Sequence, residues 1–477
     1  MQDTQFPRCA RLVCAVLTAL SITGCQRYTK QPLDLSAHRS ALTKRASDQE
    51  SIANFLDRLN KQGEPAPDHV DLTDGISREE GEVLALFYNA DLRLARLDAG
   101  VALATAENAG RWQDPVFGFD GAELLSPSGP FEFGLTLGMT LPISGRLDIE
   151  KALADAAYKA ELCRVVNAEW DIRSAVHAAW VRWSAAEEHS RRIRQTLMQI
   201  ERIESVASQL EGVDEITRVE SRLVHAEVTR FRSHVIEDDL RRRGLRSRLL
   251  ALMGLPGDAD VMLLPELGAS VMAERALPIE RIIDCNTMLD VLRAEYQVAE
   301  ESLRLEIRKQ YPDLDIGIGY GSESNDDRLL LGASIAIPVL NANRAGIAEA
   351  ESRRARARAE AETTLERLII DYARARSQLT AADEQLAIYE GVLAPMLDEQ
   401  SREVAELLEL GEVDIPLLLE TLTRQQESIG ALLALRVERA EAAIEIARLL
   451  GPDQPVRPTP TDKPTATDST QPEGGDR

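Results

Sequence analysis

Long apolar runs, aromatics and basic charge are all scarce in this 477-residue chain, and each scarcity excludes something. No run of about 20 apolar residues occurs outside the N-terminus, so no membrane-spanning helix is expected. A soluble protein and a β-barrel insertion remain open. Aromatics make up only 4% of residues, whereas Ala, Leu, Glu and Arg fill long stretches, a mixture of long packed helices and not of compact α/β cores. Lys and Arg number 55 against 79 Asp and Glu, a net charge of −24, which excludes nucleic acid as a partner because a phosphate backbone needs basic groups. That acidic balance suits cation conduction or plain solubility. Cysteines number five and form neither a CxxC pair nor a metal-ligand spacing. Cys163 and Cys285 each stand alone in a helical pattern and read as small core residues, with a bridge between them left open. The six histidines are scattered, and His225 and His234 lie off one helical face, so no metal site or cofactor is expected. No catalytic constellation is present either. Gly317-Ile318-Gly319-Tyr320-Gly321 mimics a phosphate loop, but it lies inside an alternating strand with no helix directly after it.

The N-terminus reads as an export signal. Arg8 and Arg11 precede a short apolar stretch from Leu12 to Ile22, and Ile22-Thr23-Gly24-Cys25 resembles a bacterial lipobox. Residues 1–24 are then a lipoprotein signal peptide and Cys25 is the lipidated first residue of the mature chain. Gln26 follows in place of the Asp that marks inner-membrane retention. Residues 25–74 read as a polar, lipid-anchored arm with a linker at Glu64-Pro65-Ala66-Pro67. Residues 452–477, rich in Pro, Thr and Asp, read as a disordered tail that cannot bury enough apolar surface to fold.

Between arm and tail the chain repeats itself. Pro115 and Pro312 are 197 residues apart, Pro142 and Pro338 196, Gly212 and Gly411 199, and Gly254 and Gly451 197. A common offset across four landmarks indicates duplication of a large module, far longer than a solenoid unit. The first copy spans 75–254 and the second 255–451. Ser77-Arg78-Glu79-Glu80 has the capping-box form and opens a helix expected to run through Val83, Leu84, Phe87, Leu92 and Leu94 towards Gly110.

Within each module the period switches to two. Phe131, Phe133, Leu135, Leu137, Met139 and Leu141 alternate with polar or small residues. In the second module Leu314, Ile316, Ile318 and Tyr320 do the same, followed by Leu329, Leu331, Ala333, Ile335 and Ile337. Loops at Ser126–Pro130 and Ser322–Arg328 complete one hairpin per module, at about 115–142 and 312–338. Four strands cannot close a barrel with a lumen, yet their lengths match tilted, bilayer-spanning strands. Lipid-facing positions would be Phe131, Phe133, Leu135, Leu137, Met139, Leu141, Ile316, Ile318, Leu331, Ile335 and Ile337. The competing reading is a small soluble β-subdomain packed on helices.

Long helices follow each hairpin. Between Gly145 and Gly212 there is neither Pro nor Gly, enough for a rod of roughly 100 Å at about 1.5 Å per residue. These helices are expected over about 146–210 and 345–410, the second bent at Pro395, since an interior proline removes a hydrogen bond and clashes with the preceding turn. Gly212, Asp214 and Glu215 turn the first, and Gly411, Glu412 and Asp414 the second. Glycine would supply each turn and the acids would cap the following helix.

The order of these segments resembles the TolC-type outer-membrane efflux family, from about Ser77 to Gly451. The local motifs are Asn89-Ala90-Asp91-Leu92, the Pro-led strands, Leu141-Pro142-Ile143-Ser144-Gly145-Arg146, the Gly-led tips, Leu252-Met253-Gly254-Leu255-Pro256 and Val392-Leu393-Ala394-Pro395. The stretch from Gly134 through Ala156 is most similar to the heavy-metal cation efflux branch. One departure is Pro338-Val339-Leu340-Asn341-Ala342-Asn343-Arg344, where Asn replaces the usual Gly pair; Asn tolerates a left-handed backbone. The resemblance implies a mainly α protein with a membrane β-barrel portion, in which a homotrimer pools four strands per copy into a 12-stranded barrel continued by a long periplasmic α-barrel. It further implies a lipid-anchored outer-membrane protein, a passive duct, whose tips meet a periplasmic adaptor and an inner-membrane pump of the RND type, with metal cations as a candidate cargo. Acids converging at the tips would attract cations and hold the mouth shut. The other reading of the sequence is a lipid-anchored periplasmic adaptor or scaffolding coiled coil that does not span the membrane.

Overall fold

A computed structural model describes residues 28–62, 67, 69–72, 74–123, 131–268, 279–323, 326–409 and 415–453. The signal peptide, Cys25, residues 64–66 of the linker, the loop Ser126–Pro130, the tip residues Gly411, Glu412 and Asp414, and the tail beyond Asp453 lie outside the described residues. The chain divides into two units, Met1–Arg45 and Ala46–Arg477. The first holds one described helix, α1 (Leu35–Lys44), capped by the Asp34 carboxylate, which accepts from the amides of Ser36 and Ala37 at 2.9 and 3.0 Å.

The second unit runs α2 (Gln49–Gln62), α3 (Arg78–Tyr88), α4 (Ala90–Asn108), β1 (Val116–Ala122), β2 (Glu132–Leu141), α5 (Arg146–Gly212), α6 (Arg218–Leu252), α7 (Glu280–Cys285), α8 (Thr287–Arg308), β3 (Leu314–Glu323), β4 (Asp326–Ile335), α9 (Arg344–Ile388), a π-turn at Tyr389–Leu393, α10 (Ala394–Glu409) and α11 (Ile415–Leu450). The architecture is mainly helical with one small antiparallel sheet, a helix–hairpin–helix module written twice. No described helix is long and apolar enough to cross a membrane.

The duplication extends to single atoms. In the first module Asn89 caps α4, accepting from Asp91 and Leu92 amides and donating from Nδ2 to the Leu252 carbonyl at 2.9 Å. In the second, 197 residues on, Asn286 caps α8 and donates to the Leu449 carbonyl at 2.8 Å. Gly254 and Gly451 follow those carbonyls with φ of 71° and 75°, pressed against the backbones of Tyr88 and Cys285. Each module thus ties the end of its returning helix to the break that begins its ascending one.

Four sequence expectations change here. The helix opened by the Ser77–Glu80 capping box, which does form, does not run on to Gly110. It stops at Tyr88, because Asn89 adopts a non-helical ψ of 132° to cap α4. Within the polar arm, residues 49–62 form a helix whose Ile52, Phe55, Leu56 and Leu59 join the core built by α3 and the end of α6. The helix after the second hairpin is interrupted by a π-turn ahead of Pro395, where Ala394 N–H reaches back five residues to Tyr389 O. The wider turn accommodates a ring that has no N–H and would crowd the carbonyl four residues back. The second hairpin loop is shorter than expected, since β3 and β4 pair out to Glu323 and Asp326.

The core follows the helices. Trp180 on α5 is fully buried and donates its indole N–H to Leu264 O at 3.0 Å; Trp170 does the same to Arg448 O at 3.1 Å. Cys163 and Cys285 are both free thiols. At the start of α9, Asn343 takes a left-handed φ of 51°, as its replacement of Gly suggests, but Ala342 does so too, at 45°. An L-residue there costs about 1–2 kcal/mol, partly offset by the roughly 0.4–1 kcal/mol of extra chain entropy a glycine loses on folding. Ala342→Gly is therefore expected to raise stability by about 0.5–1 kcal/mol in denaturant unfolding; an unchanged or lower midpoint would contradict the strained backbone.

Candidate functional site

The four strands form one sheet in the order β1-β2-β3-β4, every neighbouring pair antiparallel. The two hairpins therefore lie side by side, and β2 joins β3 across the module boundary. Directly opposed residues share a face. Leu137 opposes Phe117 and Ile318, and Ile318 opposes Leu331; Leu135 opposes Phe119 and Tyr320, and Tyr320 opposes Leu329. Phe133, Met139, Leu141, Ile316 and Ile335 fall on the same side by alternation. This face is apolar from one edge strand to the other. At its end, the Tyr320 hydroxyl meets the Asp327 carboxylate.

The opposite face alternates glycines with mostly polar side chains. Gly138, Gly317 and Gly332 share one row with Val116, Gly134 and Gly321 another with Asp120 and Arg328, and Gly118, Thr136 and Gly319 a third with Leu330. An added Cβ would meet nothing within 4 Å at Gly332 and nothing nearer than 3.8 Å at Gly317. Close packing does not demand glycine at those two positions. Polar side chains interrupt the glycines, among them Thr140, which donates to Asp315 at 2.6 Å. β1 and β4 each pair on one side only among the described residues, leaving two open edges.

The sheet is fastened to the helices by a residue that the sequence reading passed over. Asp313, just before β3, accepts from Ser144 Oγ at 2.7 Å and from Arg146 Nη2 at 3.3 Å, both in the Leu141–Arg146 motif. In the second module Asn343, at the start of α9, ties that helix to α8 by donating to Glu306 O at 2.8 Å. An isolated Asp carries no pattern; only the fold brings Asp313 to its partners.

At the far end of α5 the turn is built differently from the expectation. Gly212 is the last helical residue and has no positive φ; the left-handed position belongs to Asp214, at 60°. Glu215 N–H bonds to Leu210 O at 3.0 Å and Asp214 N–H to Glu211 O at 3.2 Å, the paired pattern of a Schellman motif. The cap of α6 is Thr217 with Glu220, and neither Asp214 nor Glu215. Glu220 is held below its usual pKa by hydrogen bonds from the Thr217 amide and hydroxyl. Asp214 and Glu215 are exposed and free of the capping duty that the sequence suggested. Since an added Cβ at Gly212 meets nothing, Gly212→Ala should stabilise by about 0.5 kcal/mol, the lower end of the helix-interior gain because the residue is the last of its helix. A loss in the same unfolding assay would return the turn to Gly212. Among the described residues no group of His, Cys, Asp and Glu is placed to hold a metal ion.

No family model matches the sequence, and no curated protein matches it either. The fold is nevertheless that of outer-membrane channels. CusC, solved in a study of folding and transmembrane channel formation, superposes with a TM-score of 0.68 at 16% identity, covering 80% of this chain and 93% of that one. The outer-membrane channel OprN gives 0.67 at 17% identity, over 90% and 98%. The open MtrE outer-membrane channel of Neisseria gonorrhoeae gives 0.64 at 18%, over 78% and 88%. The fold expected from the resemblance to the TolC-type family is the fold found.

Proposed function

We propose that the chain is the outer-membrane channel of a tripartite efflux system, a passive duct with no catalytic group. The observation that carries this reading is the sheet, apolar on one face, glycine and polar on the other, and open at both edges. Three copies joined edge to edge would close a 12-stranded barrel. Phe131, Phe133, Leu135, Leu137, Met139, Leu141, Ile316, Ile318, Leu331, Ile335 and Ile337 would then meet lipid, and the glycine face would line the bore. A soluble adaptor has no use for an apolar sheet face of this extent. The 67 residues of α5, about 100 Å long, suit a periplasmic extension.

The finer assignments rest on the sequence motifs and the family resemblance. The lipobox-like Ile22–Cys25 supports lipidation at Cys25, which anchors the mature chain in the outer membrane. The tips, with Gly212, Asp214 and Glu215 from one module and Gly411, Glu412 and Asp414 from the other, meet a periplasmic adaptor and gate the mouth. An RND-type pump drives export, and the likeness of Gly134–Ala156 to the heavy-metal branch supports metal cations as cargo.

The decisive test combines cell fractionation, native mass in detergent and single-channel recording of the full chain. A trimer from the outer-membrane fraction with steady conductance is expected. A monomer extracted without detergent and silent in bilayers would overturn the reading. For the tip, Asp214→Ala is expected to change gating while the trimer persists; unaltered gating would remove the gate.

A further inference from the structure

Small residues leave a gap between two of the long helices. α5 runs away from the sheet and α8 runs back towards it, joined at the end far from the sheet where Thr287 Oγ1 donates to Asn167 at 2.8 Å. Between that bond and the sheet, Ala152 and Ala156 of α5 and Ala294 of α8 line a cavity of about 540 Å³. A larger apolar residue at any of the three would fill part of it. The volume is that of an ordinary small-molecule site.

Carboxylates stand at both ends of this cavity. Asp290 and Glu301 lie three turns apart on one face of α8, about 16 Å at 1.5 Å per residue. Glu301 is only 6% exposed; its Oε1 accepts from Gln297 at 2.8 Å and from Arg304 at 3.0 Å, while Oε2 has no bond among the described residues. Asp155, brought level with Glu301 by the antiparallel run of α5, is exposed and has no ion pair among the described residues. At the other end Asp290 accepts from Arg293 at Oδ1, 2.7 Å away, and keeps Oδ2. Arg293 is committed, since it also donates to the Ile283 carbonyl. Cys163 closes this end; burial first, and then Asp290, raise its thiol above the usual pKa against the pull of Arg164, so it is a neutral wall. Between the two ends stand the alanine methyls, with Lys159 exposed beside them.

We propose that this cavity is a binding site for a linear diamine, with one ammonium held by Glu301 and Asp155 and the other by Asp290, and the methylene chain lying along Ala152, Ala156 and Ala294. Unspent carboxylate oxygens at both ends call for donors, and ammonium groups meet them with charge-assisted bonds. The methyl-lined middle suits methylenes, and Lys159 repels a molecule charged along its whole length. The site lies within one copy of the chain and stands apart from the channel reading.

The test is equilibrium dialysis of 1,10-diaminodecane against the full-length protein purified in detergent. Saturable binding of one diamine per chain is expected. 1,10-Decanediol has the length without the charge, and 1,4-diaminobutane is too short to reach both ends. Each should bind about tenfold more weakly or worse, the worth of one hydrogen bond to a charged group. Asp155→Asn, at an exposed position that leaves the fold intact, should weaken binding by the same order, and so should Glu301→Gln. Ala156→Leu should abolish it, as should prior alkylation of Cys163 with N-ethylmaleimide. Unchanged binding to Ala156→Leu would mean that the diamine merely adsorbs to an acidic chain, and would overturn the site. Equal affinity for the diol or the short diamine would overturn the two-ended recognition. Absence of saturable binding would overturn the proposal outright.

Discussion

Gly451→Ala is expected to cost several kcal/mol, about 3 or more, the largest effect of any single methyl in the described chain. The new Cβ would sit 1.9 Å from the Cys285 carbonyl oxygen and 2.6 Å from its carbon. Both are backbone atoms that no rotamer change can clear. The left-handed φ of 75° adds the usual penalty of about 1–2 kcal/mol. The damage falls on the joint where Asn286 holds Leu449, so α11 would lose its hold on the α7–α8 break. Gly254→Ala, 2.4 Å from Tyr88 O with φ 71°, should behave alike in the first module. Gly332→Ala, whose Cβ meets nothing, is the control expected to be neutral. Denaturant unfolding of the three variants decides the matter, and wild-type stability in Gly451→Ala would disprove the close approach.

The second large effect is acid sensitivity from His177. This residue of α5 is buried, with Nε2 unpartnered among the described residues. Burial first, and the Arg78 guanidinium second, push its pKa down to about 4, against a hydrogen bond with the Gly268 backbone that raises it. An unfolded histidine takes its proton near 6.5, so between about pH 6.5 and 4 the unfolded chain holds more protons than the folded one. Stability is therefore fully present above that window and falls as the medium acidifies through it. At about 1.4 kcal/mol per unit the loss reaches roughly 3 kcal/mol. His177→Gln, which cannot titrate, should flatten that stretch of the pH profile. An identical acid slope in wild type and variant would show that other groups carry it.

What the sequence disclosed was whatever repeats or alternates. The four Pro and Gly landmarks exposed the duplication, and the unbroken alternation from Phe131 to Leu141 exposed β2, because periodicity survives without knowledge of partners. Single residues whose meaning depends on a distant partner stayed hidden. Asn286-Thr287-Met288-Leu289 keeps only the first and last residues of Asn89-Ala90-Asp91-Leu92, so the second cap looked like nothing. At the tip, Gly212 and Asp214 both suit a turn, and the hydrogen-bond pattern alone decides which takes the left-handed position. α2 was masked by its polar average, although Ile52, Phe55, Leu56 and Leu59 stand at helical spacing. Asp326 and Arg328 look like loop residues by type; the β3–β4 ladder holds them in a strand.

In the proposed duct the glycine rows would have a consequence for transit. A solute passing Gly138, Gly317 and Gly332 would meet mainly peptide backbone there, and polar groups such as Asp315 and Arg328 towards the strand ends. Friction would be lowest along those rows, and one bulky substitution in them would act as an obstruction felt by every solute alike.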